Sequence, residues 1–462
     1  MLRHWKRVVA IAAALIIAGG AYVYWSYQGR LVQVGDVQID PNASIDPSRS
    51  YTLVVWEREV PLPWETGAHT EAVNEAISEF QKVWPNIHVE LRIFGWEDGH
   101  GDLREALSDG NPPDVYGMPL GTRLIDAHWQ IPVTPYMSAE AAQDTLESAL
   151  RAVSADGVAW GWPRWILPQV WIAREDLTES LGGSRVAWNA DEFLEILAES
   201  KTKSGSQGIM LNPYDGNLFF EVMVASTGRN VLDETGRRAW SVEEMTQALT
   251  LFDTIIDRGL TLNDAARMSR TRLATFWNRQ ASIVAPVNAW LLRHLMTRGG
   301  VVGDEGGLSD EVQHTSVAVP PPTVGTTQHY PALVGGYAVF RKEPYQGDDH
   351  TKAAMLLAEH LSRRLGPWEA ANLFAVPAHF TSWEMWRTDS GLPEKEIELL
   401  TQWSSKAIAP PLADGHASRQ QRIIDHVLGE AFVKLWSGVE PLQIAEEIAQ
   451  AIDGVRAEVA HP

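Results

Sequence analysis

From Tyr51 onward the apolar positions switch between two periods. Thr52-Leu53-Val54-Val55-Trp56 is a nearly continuous apolar run, which predicts a short buried strand. A loop broken by Pro61 and Pro63 follows. Val73, Ala76, Ile77, Phe80, Val83 and Trp84 then recur at helical spacing, with Thr70 placed to cap the start and Pro85 to stop the end. Ile87, Val89, Leu91 and Ile93 alternate with His88, Glu90 and Arg92, which predicts a second strand. A short helix over Leu103 to Leu107 ends at Gly110, and Asp114-Val115-Tyr116-Gly117-Met118 re-enters a strand. Strand, helix, strand, helix, strand predicts a parallel sheet with right-handed crossovers.

Further along, helical patterns carry their own start signals. Asn189 with Glu192 makes a capping-box-like start for a helix turning Phe193, Leu194, Ile196 and Leu197 inward. Ser241 with Glu244 does the same for Met245, Ala248, Leu249, Phe252, Ile255 and Ile256, with Gly259 closing the helix. Pro320-Pro321-Pro322 marks a crossing segment. The C-terminal third reads as helices over residues 351–364, 393–406, 418–437 and 441–455. Between the two α/β-like regions lies Asp156-Gly157-Val158-Ala159-Trp160-Gly161-Trp162-Pro163-Arg164-Trp165. Its glycines and proline predict neither a clean helix nor a long strand.

The N-terminus has a different character. Arg3, Lys6 and Arg7 precede the uncharged run Val8 to Trp25, broken only by Gly19 and Gly20. Such a run is about long enough to span a bilayer, and the basic flank puts the remainder outside the cell. A cleaved signal peptide would use Ala18-Gly19-Gly20-Ala21; an uncleaved anchor uses the whole run, and we favour it because the apolar stretch continues past the small residues. Gln28 to Ser50, rich in Asp, Pro and Ser, reads as a tether. Asn42-Ala43-Ser44 matches a glycosylation sequon, a pattern short enough to occur by chance.

Composition narrows the chemistry. At 462 residues the chain exceeds one ordinary domain, and a net charge of −21 argues against a phosphate-binding surface and so against a nucleic-acid partner. It has no cysteine, which removes disulfides, thiolate catalysis and thiolate metal sites. No nucleophile elbow, zinc-protease helix, phosphate loop or calcium loop is present, so the reading includes no cofactor, metal or catalytic residue.

Tryptophan is in excess, 20 residues against 11 Phe and 10 Tyr. An indole is a flat apolar plate with one N–H donor, suited to a ligand with C–H faces and hydroxyls such as a sugar ring, although any one of these rings can equally fill a core. In open α/β sheets ligands sit beyond the carboxyl ends of the strands. Those ends carry Trp56 with Glu57, Trp96, and Tyr116, and Trp64 lies in the loop after the first strand. These five become candidate ligand-binding residues of the first lobe. Glu57 could equally be a loop carboxylate in solvent.

Several segments, taken in order, resemble the family 1 extracellular solute-binding proteins of ABC importers. They are Leu53-Val54-Val55-Trp56, then Phe80 to Val89 with its Trp84-Pro85-Asn86-Ile87 centre, then Ala106 to Val115 ending Pro113-Asp114-Val115. The Trp-rich stretch resembles the family's "D-G-K-x-Y-G-x-P", with Val158 replacing the Lys. Trp171 to Leu177, Trp188 to Phe193, Gln280 to Trp290, Val334 to Val339 and Leu373 to Ala378 continue the series. The lipobox cysteine common in that family is missing.

The resemblance implies an α/β, two-lobe periplasmic-binding-protein-like fold of type II, with discontinuous lobes joined by hinge crossings and preceded here by an N-terminal transmembrane helix. The expected division is 1–28 anchor, 29–50 linker, 51–166 with 322–343 first lobe, and 167–321 with 344–456 second lobe. It adds Trp162, Trp165 and Trp290 as stacking plates and Gly335 and Gly336 as ligand-binding positions. It implies a carbohydrate ligand, permease subunits as partners, a membrane tie through the N-terminal helix, and no enzymatic activity. A surface glycan-processing enzyme and a ligand-sensing domain for a membrane partner are the rival readings.

Overall fold

Strands form where the continuous and alternating apolar runs place them. The computed structural model describes residues 31–60, 67–95, 100–118, 128–174, 187–204, 207–211, 216–233, 235–262, 281–284, 316–409 and 416–455. Strand β1 (Tyr51–Arg58) leads through helix α1 (Ala68–Val83) to β2 (Ile87–Phe94), α2 (His100–Ser108) and β3 (Val115–Met118). The chain continues with β4 (Trp162–Pro168), β5 (Trp171–Arg174), α3 (Ala190–Ser204), β6 (Gln207–Met210), α4 (Gly216–Thr227) and α5 (Val242–Asp257). Then come β7 (Thr261–Leu262), β8 (Ala281–Val284), β9 (Ser316–Val319), β10 (Tyr330–Val339), α6 (Asp348–Asn372), β11 (Val376–Pro377), α7 (Glu394–Ser405), β12 (Ala407–Ile408) and α8 (Pro441–Gly454).

Two sheets result. The first runs β11–β4–β10–β3–β1–β2, with β12 beside β10; the second runs β7–β6–β8–β5–β9. β1 is parallel to both β2 and β3, as the alternation of elements predicts, while β10 returns antiparallel between β3 and β4. Leu53 and Val55 are fully buried on one face of β1, a burial that contributes roughly 1.5–3 kcal/mol for each side chain. Helix α1 begins earlier than expected, because Gly67, at φ 87°, turns the chain at its N-cap and leaves Thr70 inside the first turn.

One apolar core lies against each sheet. The first draws on Val34 to Val170 and on Tyr330 to Ala407; the second on Trp188 to Leu260 and on Ile423 to Ile452. The crossing pair β5–β9 is shared. Ile172 and Ala318 face the first core, while Trp171, Ala173, Val317 and Val319 face the second, as strand alternation requires. The stretch 348–407, expected in the second lobe, therefore packs in the first: Ala354, Leu357, Ala358, Leu361 and Leu365 of α6 cover its sheet.

Two more expectations change. The Trp-rich stretch does hold a strand: Asp156 (φ 50°) and Gly157 (φ 76°) form a tight turn, and β4 then runs for seven residues. Pro163 fits because β4 bulges: Gly336 pairs with Pro163 and Gly335 with Trp165, leaving Arg164 as the extra residue. Residues 31–50 are folded rather than a free tether. Val32–Val34 and Val37–Ile39 form an antiparallel hairpin whose Val34 and Ile39 are fully buried in the first core. Among the described residues no helix is long and apolar enough to cross a membrane; the run Val8 to Trp25 lies outside them.

Candidate functional site

The carboxyl ends of β1, β2 and β3 share one end of the first sheet, where ligands of open α/β sheets bind. Alternation along β1 sends neighbouring residues to opposite faces. Trp56 turns to the face under α2. There it meets Phe94 at 5.2 Å between ring centroids and packs in a small cluster with Tyr116, Leu103, Leu107 and Phe340. The Arg92 guanidinium covers both rings, 5.0 Å from the Trp56 centroid and 4.2 Å from that of Phe94. Trp56 keeps 9% of its surface exposed and Tyr116 2%. Burial pushes the Tyr116 phenol up, against the pull of the neighbouring Arg58 cation.

Glu57 turns to the opposite face and is fully buried. Arg164, the bulge residue of β4, brings Nη1 to 3.2 Å from Glu57 Oε2 and to 3.0 Å from Glu369 Oε1 on α6. The same nitrogen donates to the Tyr337 hydroxyl at 3.0 Å, and Tyr337 donates to Glu57. The backbone N–H of Arg58 donates to Glu57 Oε1 at 2.9 Å. Glu369 accepts from the Trp165 indole and pairs with His69 Nε2 of α1 at 3.0 Å. Burial alone would lower the Arg164 pKa; the Glu369 and Glu57 charges outweigh it and raise it. Burial works to raise the Glu369 carboxyl, but Arg164, with His69 and Trp165, holds it below the usual range. Burial and the Glu57 charge together push the Tyr337 phenol well above its ordinary value.

Close approach explains the glycines around this cluster. A Cβ at Gly117 would lie 2.2 Å from Glu57 Oε1, and one at Gly335 would lie 2.4 Å from the Trp165 ring. Gly336 is likewise buried, against the Trp162 backbone.

The sequence candidates thus fall into three groups. Trp56 and Tyr116 sit together at the strand ends. Glu57, Trp162, Trp165, Gly335 and Gly336 are packed inside the first lobe, with Trp162 1% and Trp165 0% exposed. Trp64, Trp96 and Trp290 lie outside the described residues. Sequence reading passed over Arg164, Tyr337, Glu369 and His69. The signal for Arg164 was a lone charge within the apolar run Trp162 to Leu167; Glu369 stands similarly between Trp368 and Ala370.

Chemically the cluster is closed. Both carboxylates are ion-paired with Arg164 and fully buried. Among the described residues no group of His, Asp and Glu could hold a metal ion. What the cluster does is tie β1, β4, β10, α1 and α6 together directly beneath the strand ends. On the second-lobe side of the crossing, Trp171 donates to Glu221 at 2.6 Å and packs at a tilt on Phe193, while the Trp188 indole donates to the Pro320 carbonyl at 2.7 Å. The crossing is thereby braced by large side chains.

Comparison with known proteins gives a consistent frame. A family model described as bacterial extracellular solute-binding protein matches residues 66–362. A curated relative from Brucella abortus (strain 2308), described only as a binding protein, is 26% identical over 204 residues, 43% of this chain and 48% of the relative. The chain thus spans about half the length of the curated relatives it matches. Among solved structures, the sugar-binding protein MalE from Xanthomonas citri superposes with a TM-score of 0.69 at 18% identity, covering 87% of this chain and 97% of that one. The GacH receptor of Streptomyces glaucescens, solved unliganded and with acarbose, gives 0.62 at 15% identity over 88% and 98%. An ABC substrate-binding protein from Listeria monocytogenes in complex with cycloalternan gives 0.59 at 17% over 88% and 98%. The fold is this two-lobe α/β architecture.

Proposed function

The chain belongs to the bacterial extracellular solute-binding protein family, and from that premise we propose that it captures a carbohydrate of oligosaccharide size between its lobes for an ABC importer. Members of this family bind solutes and are not enzymes, which sets aside the glycan-processing reading. The observation that carries the proposal is the family match over residues 66–362, which spans elements of both lobes. The sugar ligands of the similarly folded MalE and GacH proteins support the carbohydrate assignment.

In this reading the ligand lies over the carboxyl ends of β1, β2 and β3. Trp56 forms the floor there, with Tyr116 packed behind it. Trp64, Trp96 and Trp290 supply stacking plates, apolar surface with a donor at its edge. Glu57, Trp162, Trp165, Gly335 and Gly336 hold the floor in shape from beneath. The run Val8 to Trp25 anchors the protein in the cell membrane with the lobes outside, and permease subunits receive the ligand.

Tryptophan fluorescence and thermal shift against a panel of mono- and oligosaccharides test the reading. A saturable spectral change with a raised Tm is expected, and the best oligomer length sizes the cleft. Silence across the panel from a folded sample overturns the carbohydrate assignment. Trp290→Ala is expected to weaken binding with Tm nearly unchanged; a large loss of Tm would instead place that ring in a core.

A further inference from the structure

Residues 31–50 meet the first lobe at the end remote from the strand carboxyl termini. Asn86, just before β2, donates to the carbonyls of Asp46 at 3.2 Å and Arg49 at 3.0 Å. Arg49 pairs with Asp349 at 2.7 Å, and Lys352 reaches the Pro41 carbonyl at 3.5 Å; both partners lie in the first turns of α6. Asp36 pairs at 2.9 Å with Arg341, two residues beyond β10, whose last residue Val339 pairs with Val115 at the start of β3. The Asn86, Asp349 and Lys352 contacts are at the amino-terminal pole of the parallel strands, while Val115 lies beside Val55, so the Asp36–Arg341 pair sits nearer the middle of β1. The proposed ligand floor lies toward the other pole, with Trp56 about 17 Å from Tyr51 over five residue steps of β1 at roughly 3.3 Å each.

We infer that this segment is a strap, and that it holds the first lobe to the membrane by the pole opposite the cleft. The inference rests on the anchor reading of Val8 to Trp25. Only six peptide steps separate Trp25 from Leu31, the first residue of the strap, so the leash reaches at most about 20 Å. That is too short to swing a lobe over. The strap carries Asp36, Asp40 and Asp46 on its exposed or half-exposed positions, so the leash and not adhesion to anionic lipid keeps it there. The cleft is then presented away from the bilayer, toward incoming ligand.

The chain has no cysteine, so single labels can be placed cleanly. The full chain is reconstituted in phosphatidylcholine vesicles holding a headgroup-labelled acceptor lipid, with a donor dye at Gln38→Cys on the strap or at Gly95→Cys at the cleft pole. Energy transfer is expected to be at least about twofold stronger from position 38, and a long Gly/Ser insertion between Tyr27 and Gln28 should erase the difference. Equal transfer from both positions in a native chain that stays with the vesicles overturns the strap inference. A chain that leaves the vesicles on alkaline carbonate extraction overturns the anchor reading instead, and the leash with it.

Discussion

Arg164 shows what one residue decides in this fold. Its guanidinium offsets two fully buried carboxylates, Glu57 and Glu369. Removing one partner of a buried ion pair strands the others in low dielectric, a change that costs about 3–5 kcal/mol. Arg164→Met is therefore expected to lose about that much in urea unfolding, and a loss under about 1 kcal/mol would show the cluster to be dispensable. His379 gives a pH signature. It is 1% exposed, with Nε2 3.0 Å from Ser362 Oγ, and burial, aided by the Arg363 cation, lowers its pKa to about 4. The unfolded chain protonates this ring near pH 6.5, the folded chain only near 4, so stability falls as pH drops through that window. His379→Gln should flatten the slope of stability against pH between those limits; identical slopes for the two proteins would remove His379 as its source. At this scale the sequence was least informative. Twenty tryptophans mark a chain that uses indoles heavily, but an indole against a sugar and an indole against Glu369 have the same spacing and the same neighbours in sequence.

Elements were far more legible, because their signals are local. The Ser241–Glu244 box forms as read: Ser241 Oγ accepts from the Glu244 N–H at 3.1 Å and Glu244 returns to the Ser241 N–H at 2.8 Å. Asn189 and Glu192 do the same at 3.0 and 2.9 Å. Ser241→Ala is expected to destabilise the second lobe by about 1 kcal/mol, read as a shifted urea midpoint with unchanged slope; no shift would mean that the flanking hydrogen bonds already hold that turn. What the sequence hid were elements whose pattern depends on distant partners. β4 reads as irregular because Pro163 breaks the run, yet the bulge opposite Gly335 and Gly336 absorbs the proline and aims Arg164 inward. Helix α6 shows an apolar face in any reading, but nothing local says which sheet that face covers. The segment 31–50 looks polar and loose, and only the burial of Val34 and Ile39 reveals it as folded.

At the scale of the whole molecule, the order of segments carried more than any motif, since the family match and the two-lobe fold both agree with it. Two cores with few shared residues make a physical prediction of their own. Phe252 is fully buried in the second core, 4.8 Å from Phe432 and 6.4 Å from Phe219 between centroids. Phe252→Ala should cost about 3–5 kcal/mol within that core alone. Because the two cores are separate clusters, unfolding of the variant is expected to separate into two transitions, with only the second-lobe step moved. A ligand held between the lobes binds only when both are folded, so saturation at 100 times Kd adds about 2.7 kcal/mol and should draw the transitions back together. Calorimetry of Phe252→Ala with and without the best sugar of the panel decides the matter. A single transition in the free variant would mean that the junction couples the lobes fully, and two transitions that stay apart with sugar bound would put the ligand on one lobe rather than between them.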